Sequence, residues 1–124
     1  ATEGKRLGAT VIGVTSTEFA ARTPADHPSR HPSRRNLHEI ADIFLNTWLP
    51  YGDAVVDVAG CPQKVGPSSS LGTGFVLNCL VAATVEELVR RGIEPPVWMS
   101  ANLPGGDEAN RKHFDKHLRR VKFL

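Results

Sequence analysis

The run Ala9-Thr10-Val11-Ile12-Gly13-Val14-Thr15 constrains this chain most. It is short, β-branched and almost wholly apolar, so it reads as a strand covered on both faces. Such strands belong to parallel sheets with helices above and below. Upstream, residues 1–7 predict the last turns of a helix, with Lys5 and Arg6 suited to its C-terminal dipole and Gly8 as the left-handed stop. A chain that opens on the tail of a helix has the pattern of a fragment, incomplete at its N-terminus.

Residues 22–36 cannot be regular structure, because Pro24, Pro28 and Pro32 each push the preceding residue out of helical geometry. Within this stretch His27-Pro28-Ser29-Arg30 is followed at once by His31-Pro32-Ser33-Arg34, a tandem tetrapeptide too short for a solenoid. Asn36 is placed to cap a short helix over 37–41, and 43–45 reads as a second buried strand. A turn over 50–53, a third extended run over 54–58 and a loop over 61–67 follow. Apolar side chains recur all round 69–91, which predicts a long buried helix that Gly92 ends. Pro95-Pro96 breaks the chain and 97–99 predicts a fourth short strand. Gly105-Gly106 makes a turn, and Asp107 is placed to cap a last, basic helix to about residue 121. Strands alternating with long connections predict an α/β fold, a three-layer sandwich around a parallel sheet.

A length of 124 residues fits one domain, and 40% hydrophobic with 23% charged residues excludes a disordered or collagen-like chain. Fifteen Lys and Arg against 13 Asp and Glu leave +2, too mild to indicate nucleic acid or membrane partners. Cys61 and Cys79 form no CxxC and have no nearby Cys/His set, so neither a disulfide framework nor zinc is expected, and a reducing cytoplasm suits them. The apolar run 71–85 is interrupted by Thr73, Asn78 and Thr84 and closed by Glu86-Glu87, short of the ~20 residues a membrane span needs.

In an open parallel sheet, ligands sit beyond the carboxyl ends of the strands, here 15–18, the basic loop to Arg35, and 100–107. Lys64-Val65-Gly66-Pro67-Ser68-Ser69-Ser70 leads straight into the long helix. Three hydroxyls, the free N–H groups of the first turn and Lys64 would stabilise a phosphate there. The same serines would equally serve as ordinary caps. Gly72 and Gly74 allow close backbone approach, for packing or for a ligand. The loop 27–38 holds three His and three Arg with no carboxylate, able to bind a phosphate and move protons, or simply to be a solvated loop. His113 and His117 lie four apart, but Phe114 rules out HExxH and no third ligand is evident, so both are expected to face solvent with no metal. The basic last helix reads as a solvated face rather than a nucleic-acid surface. Glu86 is expected to pair with Arg90, and Cys79 to lie in the core.

Taken in order, several segments resemble the C-terminal half of a SIS (sugar isomerase) domain, the α/β sandwich that binds phosphosugars. They are 8–16, Ser29-Arg30-His31-Pro32-Ser33 with Leu37 and Ala41-Asp42, and 51–55. Then come 63–70, 94–97, Ser100-Ala101-Asn102, and Gly105-Gly106-Asp107-Glu108 with Asn110. The chain is most similar to a bacterial subgroup of single-domain SIS proteins related to N-acetylmuramic acid 6-phosphate etherase and N-acetylglucosamine 6-phosphate dehydratase. The resemblance implies that 1–124 is the C-terminal portion of one SIS domain that binds and converts a hexose or amino-sugar 6-phosphate. The reaction would be isomerisation or elimination, such as dehydration of N-acetylglucosamine 6-phosphate, by general acid/base chemistry. Ser68, Ser69 and Ser70 map to the phosphosugar site, with Lys64 beside them. Arg30 would supply charge stabilisation and His31 proton transfer, with Ser16 and Ser33 completing the binding set. No cofactor is implied, and a homodimer or homotetramer is. The Gly-rich loop, the Ser-x-Ser-Gly-like turn and the catalytic glutamates of the family lie in an earlier half that has no counterpart in these residues. Two other readings stand beside this one: a sensor that binds a sugar phosphate without turning it over, and, ranked last, a nucleic-acid module.

Overall fold

A computed structural model describes residues 1–117. The chain divides into two compact units, one formed by Ala1–Leu80 and the other beginning at Val81. Helix α1 (Thr2–Arg6) ends at Leu7 and Gly8, whose φ of 78° is the left-handed stop that its sequence predicts. Strand β1 (Ile12–Thr15) follows and pairs in parallel with β2 (Ile43–Asn46), Ile12 opposite Ile43 and Thr15 opposite Asn46. Between them lie α2 (Thr17–Arg22) and α3 (Leu37–Ile40). Gly13 is the buried residue of β1, where an added Cβ would stand 2.8 Å from the Cβ of Ala41, so the glycine sets how closely α3 packs on the strand. Asp42 locks the entry to β2: it takes the Lys5 ammonium at 2.7 Å and the Val11 N–H at 3.0 Å.

The rest of the first unit departs from the sequence expectation. Of the expected run 54–58, only β3 (Ala54–Val56) is strand, and its partner is β4 (Val65–Pro67), which the sequence reads as loop. The pair is antiparallel, Ala54 opposite Pro67 and Val56 opposite Val65. Among the described residues the strands thus form two separate two-stranded sheets, one parallel and one antiparallel. The architecture is α/β. Residues 15–18, expected as a polar loop at the carboxyl end of β1, run from the last residue of β1 into α2: the Ser16 hydroxyl accepts the Phe19 N–H at 3.2 Å as the N-cap of α2.

Helix α4 (Ser69–Arg90) matches the expected long helix, yet none of its residues is buried. Leu71 is 78% and Phe75 71% exposed, and Cys79, expected in the core, is exposed as well. No apolar side chain among the described residues is fully buried. By length and composition α4 could cross a membrane, with a mean hydropathy of 1.4 over its best window, where the sequence reading found too short an apolar run. A helix that another protein surface covers has the same composition.

In the second unit, 97–99 is not a strand, so 100–107 does not sit at a strand end. Asn110 holds this segment instead, accepting the Met99 N–H at 2.8 Å and donating to the Met99 carbonyl at 2.7 Å. Helix α5 (Gly106–His117) begins one residue before Asp107, which lies in its first turn rather than capping it; its expected continuation to 121 lies outside the described residues. His113 was expected to face solvent but is 7% exposed, its ring 5.6 Å from that of Trp98. Glu87, rather than Glu86, binds Arg90, at 2.6 Å, and also Arg91.

Candidate functional site

A hollow of about 360 Å³ lies in the first unit at the carboxyl ends of the parallel strands. Thr15 and Ser16 line it from the end of β1, Thr47, Leu49 and Asp53 from the segment after β2, and Ser69 and Thr73 from the first turns of α4. This is where a parallel sheet ordinarily receives a ligand. Its walls mix apolar faces, Val14 and Phe19 among them, with hydroxyls and one carboxylate.

Hydrogen bonds fix each wall. The buried Ser16 hydroxyl donates to the Leu49 carbonyl at 2.6 Å while capping α2. The Asn46 amide donates to the Thr17 hydroxyl at 2.8 Å, and its oxygen accepts the N–H groups of Thr17 and Trp48. The Thr47 N–H donates to the Thr15 carbonyl, whereas the Thr47 hydroxyl oxygen is buried with no hydrogen-bond partner. The loop that carries these groups is strained: Trp48 and Asp53 both have positive φ, 54° and 66°. For a bulky, 75% exposed tryptophan this region is a genuine outlier, and such strain gathers at binding sites.

Asp53 decides the electrostatics. Its Oδ1 accepts the N–H groups of Ser68 at 2.9 Å and Ser69 at 2.6 Å, and its Oδ2 accepts the Ser69 hydroxyl at 2.9 Å. The Ser68 hydroxyl donates to the Asp53 carbonyl at 2.7 Å. Burial alone would raise the Asp53 carboxyl, but hydrogen bonds from Ser69 and Ser68 outweigh it and hold the group below the usual carboxylate range. The Ser68 and Ser69 donors that the sequence offers to a ligand phosphate are therefore occupied by Asp53. Neither serine caps α4 with its own hydroxyl, as the capping reading expects: both hydroxyls donate to Asp53, which itself supplies the acceptor for the Ser68 and Ser69 N–H groups.

The other sequence-derived residues scatter. Ser70 and Lys64 are exposed and do not line the hollow, and Lys64 is ion-paired with Asp57 at 3.2 Å. Arg30, expected to stabilise ligand charge, is a structural tie. Its guanidinium donates to the carbonyls of Ala20 (2.7 Å), Thr23 and Pro24 (3.1 Å) and to Asn36 Oδ1, which uses four of its hydrogen-bonding directions. The tandem tetrapeptide forms two successive turns of one design. In each, the Arg N–H donates to the His carbonyl at 2.8 Å, and the His Nδ1 accepts the Ser N–H at 3.2 Å. His31 therefore keeps Nε2 as its remaining ring nitrogen, and its Nδ1 also meets the Ser33 hydroxyl at 2.9 Å. His31 and Ser33 line a separate hollow of about 490 Å³ with Arg35, Leu37 and Ile40. Of the eight expected site residues, the structure brings only Ser16 and Ser69 together in the first hollow. Among the described residues no three His, Cys, Asp or Glu side chains gather to hold a metal ion.

The sequence reading missed Asp53, Thr47 and Thr73 as site residues. Asp53 follows a Tyr51-Gly52 turn, and its tie to the serines spans fifteen residues, which no local pattern announces.

No family model matches the chain. It is 35% identical over its whole length to a UPF0309 protein of Caldanaerobacter subterraneus, of which the match covers 50%. It is 33% identical over 97% of its length to a UPF0309 protein of Shouchella clausii and 36% over 98% to one of Streptomyces griseus, covering 47% of each. The chain thus spans about half the length of the curated relatives it matches, and it is to UPF0309 proteins of several bacteria that it is similar.

Proposed function

We propose that the protein is part of a SIS-type phosphosugar protein that binds, and as an enzyme converts, a hexose or amino-sugar 6-phosphate at the carboxyl ends of β1 and β2. The observation that carries this reading is the hydroxyl-lined hollow at the ends of the parallel pair, where Thr15, Ser16, Thr47, Asp53, Ser69 and Thr73 converge. Hydroxyls and a carboxylate beside apolar walls suit a sugar ring, which presents both polar edges and apolar faces. In this reading β1 and β2 are two strands of a larger parallel sheet, and the exposed α4 packs as one layer of a three-layer sandwich. The uncovered apolar surface of α4 also favours assembly, as a homodimer or homotetramer.

The proton-moving groups for isomerisation or elimination are not gathered in this hollow. Asp53, its one titratable lining group among the described residues, is held below the usual carboxylate range by its serine bonds and so is a weak base. His31, with Nε2 remaining, lies against the second hollow and serves the reaction only if a substrate reaches from one to the other. The test is equilibrium binding and turnover of N-acetylglucosamine 6-phosphate by the protein. Binding with formation of an unsaturated or isomerised product supports the enzyme. Saturable binding without turnover turns the assignment to a sensor, and absence of binding removes it.

A further inference from the structure

We infer that Asp53 is a specificity-determining residue: it makes the hollow take the uncharged, hydroxyl-bearing end of a ligand and refuse an anionic group at the start of α4. This inference names the part of the ligand that the hollow reads and rests on the proposed sugar-phosphate function.

The argument is one of counted hydrogen-bonding capacity. The start of a helix exposes N–H donors and the positive end of a dipole, and an empty one would welcome phosphate. Here the Ser68 and Ser69 N–H groups both donate to Asp53 Oδ1, at 2.9 and 2.6 Å. Their dipole is already answered by a full negative charge on the hollow's own wall. A phosphate brought to Ser68 and Ser69 would meet a carboxylate instead of free donors, and like charges at short range disfavour each other. A hydroxyl meets the opposite situation. Among the described residues Asp53 Oδ2 accepts only the Ser69 hydroxyl, at 2.9 Å, and a carboxylate oxygen can accept a second donor.

The remaining wall is consistent with such an occupant. Thr15, Thr73 and Ser69 add side chains that can both donate and accept. The Thr47 hydroxyl, buried without a partner on the same wall, is a group that a native site ordinarily satisfies. The phosphate of a sugar phosphate then points away from the start of α4, and the ring enters hydroxyls first.

Two variants separate the possibilities. Asp53→Asn keeps an acceptor oxygen for Ser68 and Ser69 and removes the charge. Asp53→Gly suits the positive φ at this position and leaves the α4 amides without an internal anion. In the unsubstituted protein, titration with inorganic phosphate is expected to leave the NMR signals of the Ser68 and Ser69 amides in place. In Asp53→Gly it is expected to shift them. Movement of those amides in the unsubstituted protein, or their stillness in Asp53→Gly, overturns the inference whether or not a sugar phosphate binds. With N-acetylglucosamine 6-phosphate, Asp53→Asn is expected to raise Kd by about tenfold or more, the loss associated with one hydrogen bond to a charged group. An unchanged or lowered Kd in Asp53→Asn overturns the inference while leaving the proposed function intact. Failure of the unsubstituted protein to bind the sugar phosphate removes the proposed function instead.

Discussion

Replacing Gly13 by alanine is expected to destabilise the protein through one contact that no rotation relieves. The new Cβ would stand 2.8 Å from the Ala41 Cβ and 3.1 Å from the Leu37 Cγ. Carbon atoms rest at about 3.5–4.0 Å, so α3 has to retreat by roughly 0.7 Å. Retreat is hindered, because Ala41 adjoins Asp42, whose carboxylate holds both Lys5 and the Val11 N–H and whose own N–H donates to the Val11 carbonyl. Overpacking of this kind costs about 1–3 kcal/mol, against about 0.4–1 kcal/mol gained by restricting the unfolded chain. The net loss is about 1–2 kcal/mol, and for a chain of this length Tm falls by roughly 4–8 °C. Thermal unfolding followed by far-UV circular dichroism reads this directly. Gly72→Ala is the matched control, since its Cβ would press on the Leu49 side chain, nearest at Cδ2 2.7 Å away, a methyl that can rotate. The helix-propensity gain of about 1 kcal/mol offsets that adjustment, so its Tm is expected to stay close to the unsubstituted value. A Gly13→Ala variant as stable as the unsubstituted protein would refute the claim that this glycine sets the distance between α3 and β1.

Three further outcomes follow from the same geometry. Asn110→Ala removes both hydrogen bonds to the Met99 backbone, an expected loss of about 1–3 kcal/mol in urea unfolding. Arg30→Lys replaces a planar fork by a point charge that cannot reach three carbonyls and Asn36 together, so the 23–36 loop is expected to be cut faster in limited proteolysis, without loss of Ser16-centred packing. Asp42 and Asp53 are both held below the usual carboxylate range, Asp42 chiefly by the Lys5 hydrogen bond and then by the Val11 N–H. A depressed folded-state pKa contributes stability above the unfolded value and loses it as pH falls through the folded one, so Tm is expected to drop on acidification below that range. Asp42→Asn is expected to flatten this part of the pH profile, and an unchanged profile would remove Asp42 from the account.

Local pattern announced much of the first unit. Gly8 stops α1, the β-branched run gives β1, the apolar Ile43-Phe44-Leu45 gives β2, and apolar side chains recurring all round 69–91 give α4. Helix α2 was not read, although Ser16-Thr17-Glu18 carries a cap residue and a first-turn acid, because 15–18 read as a polar strand end and the prolines break regular structure only from residue 22. Pairing was not legible. Val65-Gly66-Pro67 has the residues of a loop and becomes a strand only because Val56 and Ala54 lie opposite. Likewise 97–99 has strand composition, yet its backbone is held by the Asn110 amide. The site follows the same division. Hydroxyls at the end of β1 and the start of α4 could be read in order along the chain, whereas the carboxylate that fills the serine turn arrives from the far side of a hairpin. Arg30 shows the converse error: composition suggested a phosphate ligand where geometry shows a loop clamp.

The most direct measurement is a structure of the protein with N-acetylglucosamine 6-phosphate bound. The account places the sugar ring against Thr15, Thr47, Asp53, Ser69 and Thr73, with Asp53 still bonded to the Ser68 and Ser69 amides and the phosphate directed away from them. Density for the phosphate on those amides with Asp53 displaced, or for the ring in the hollow beside His31 and Ser33, would contradict it.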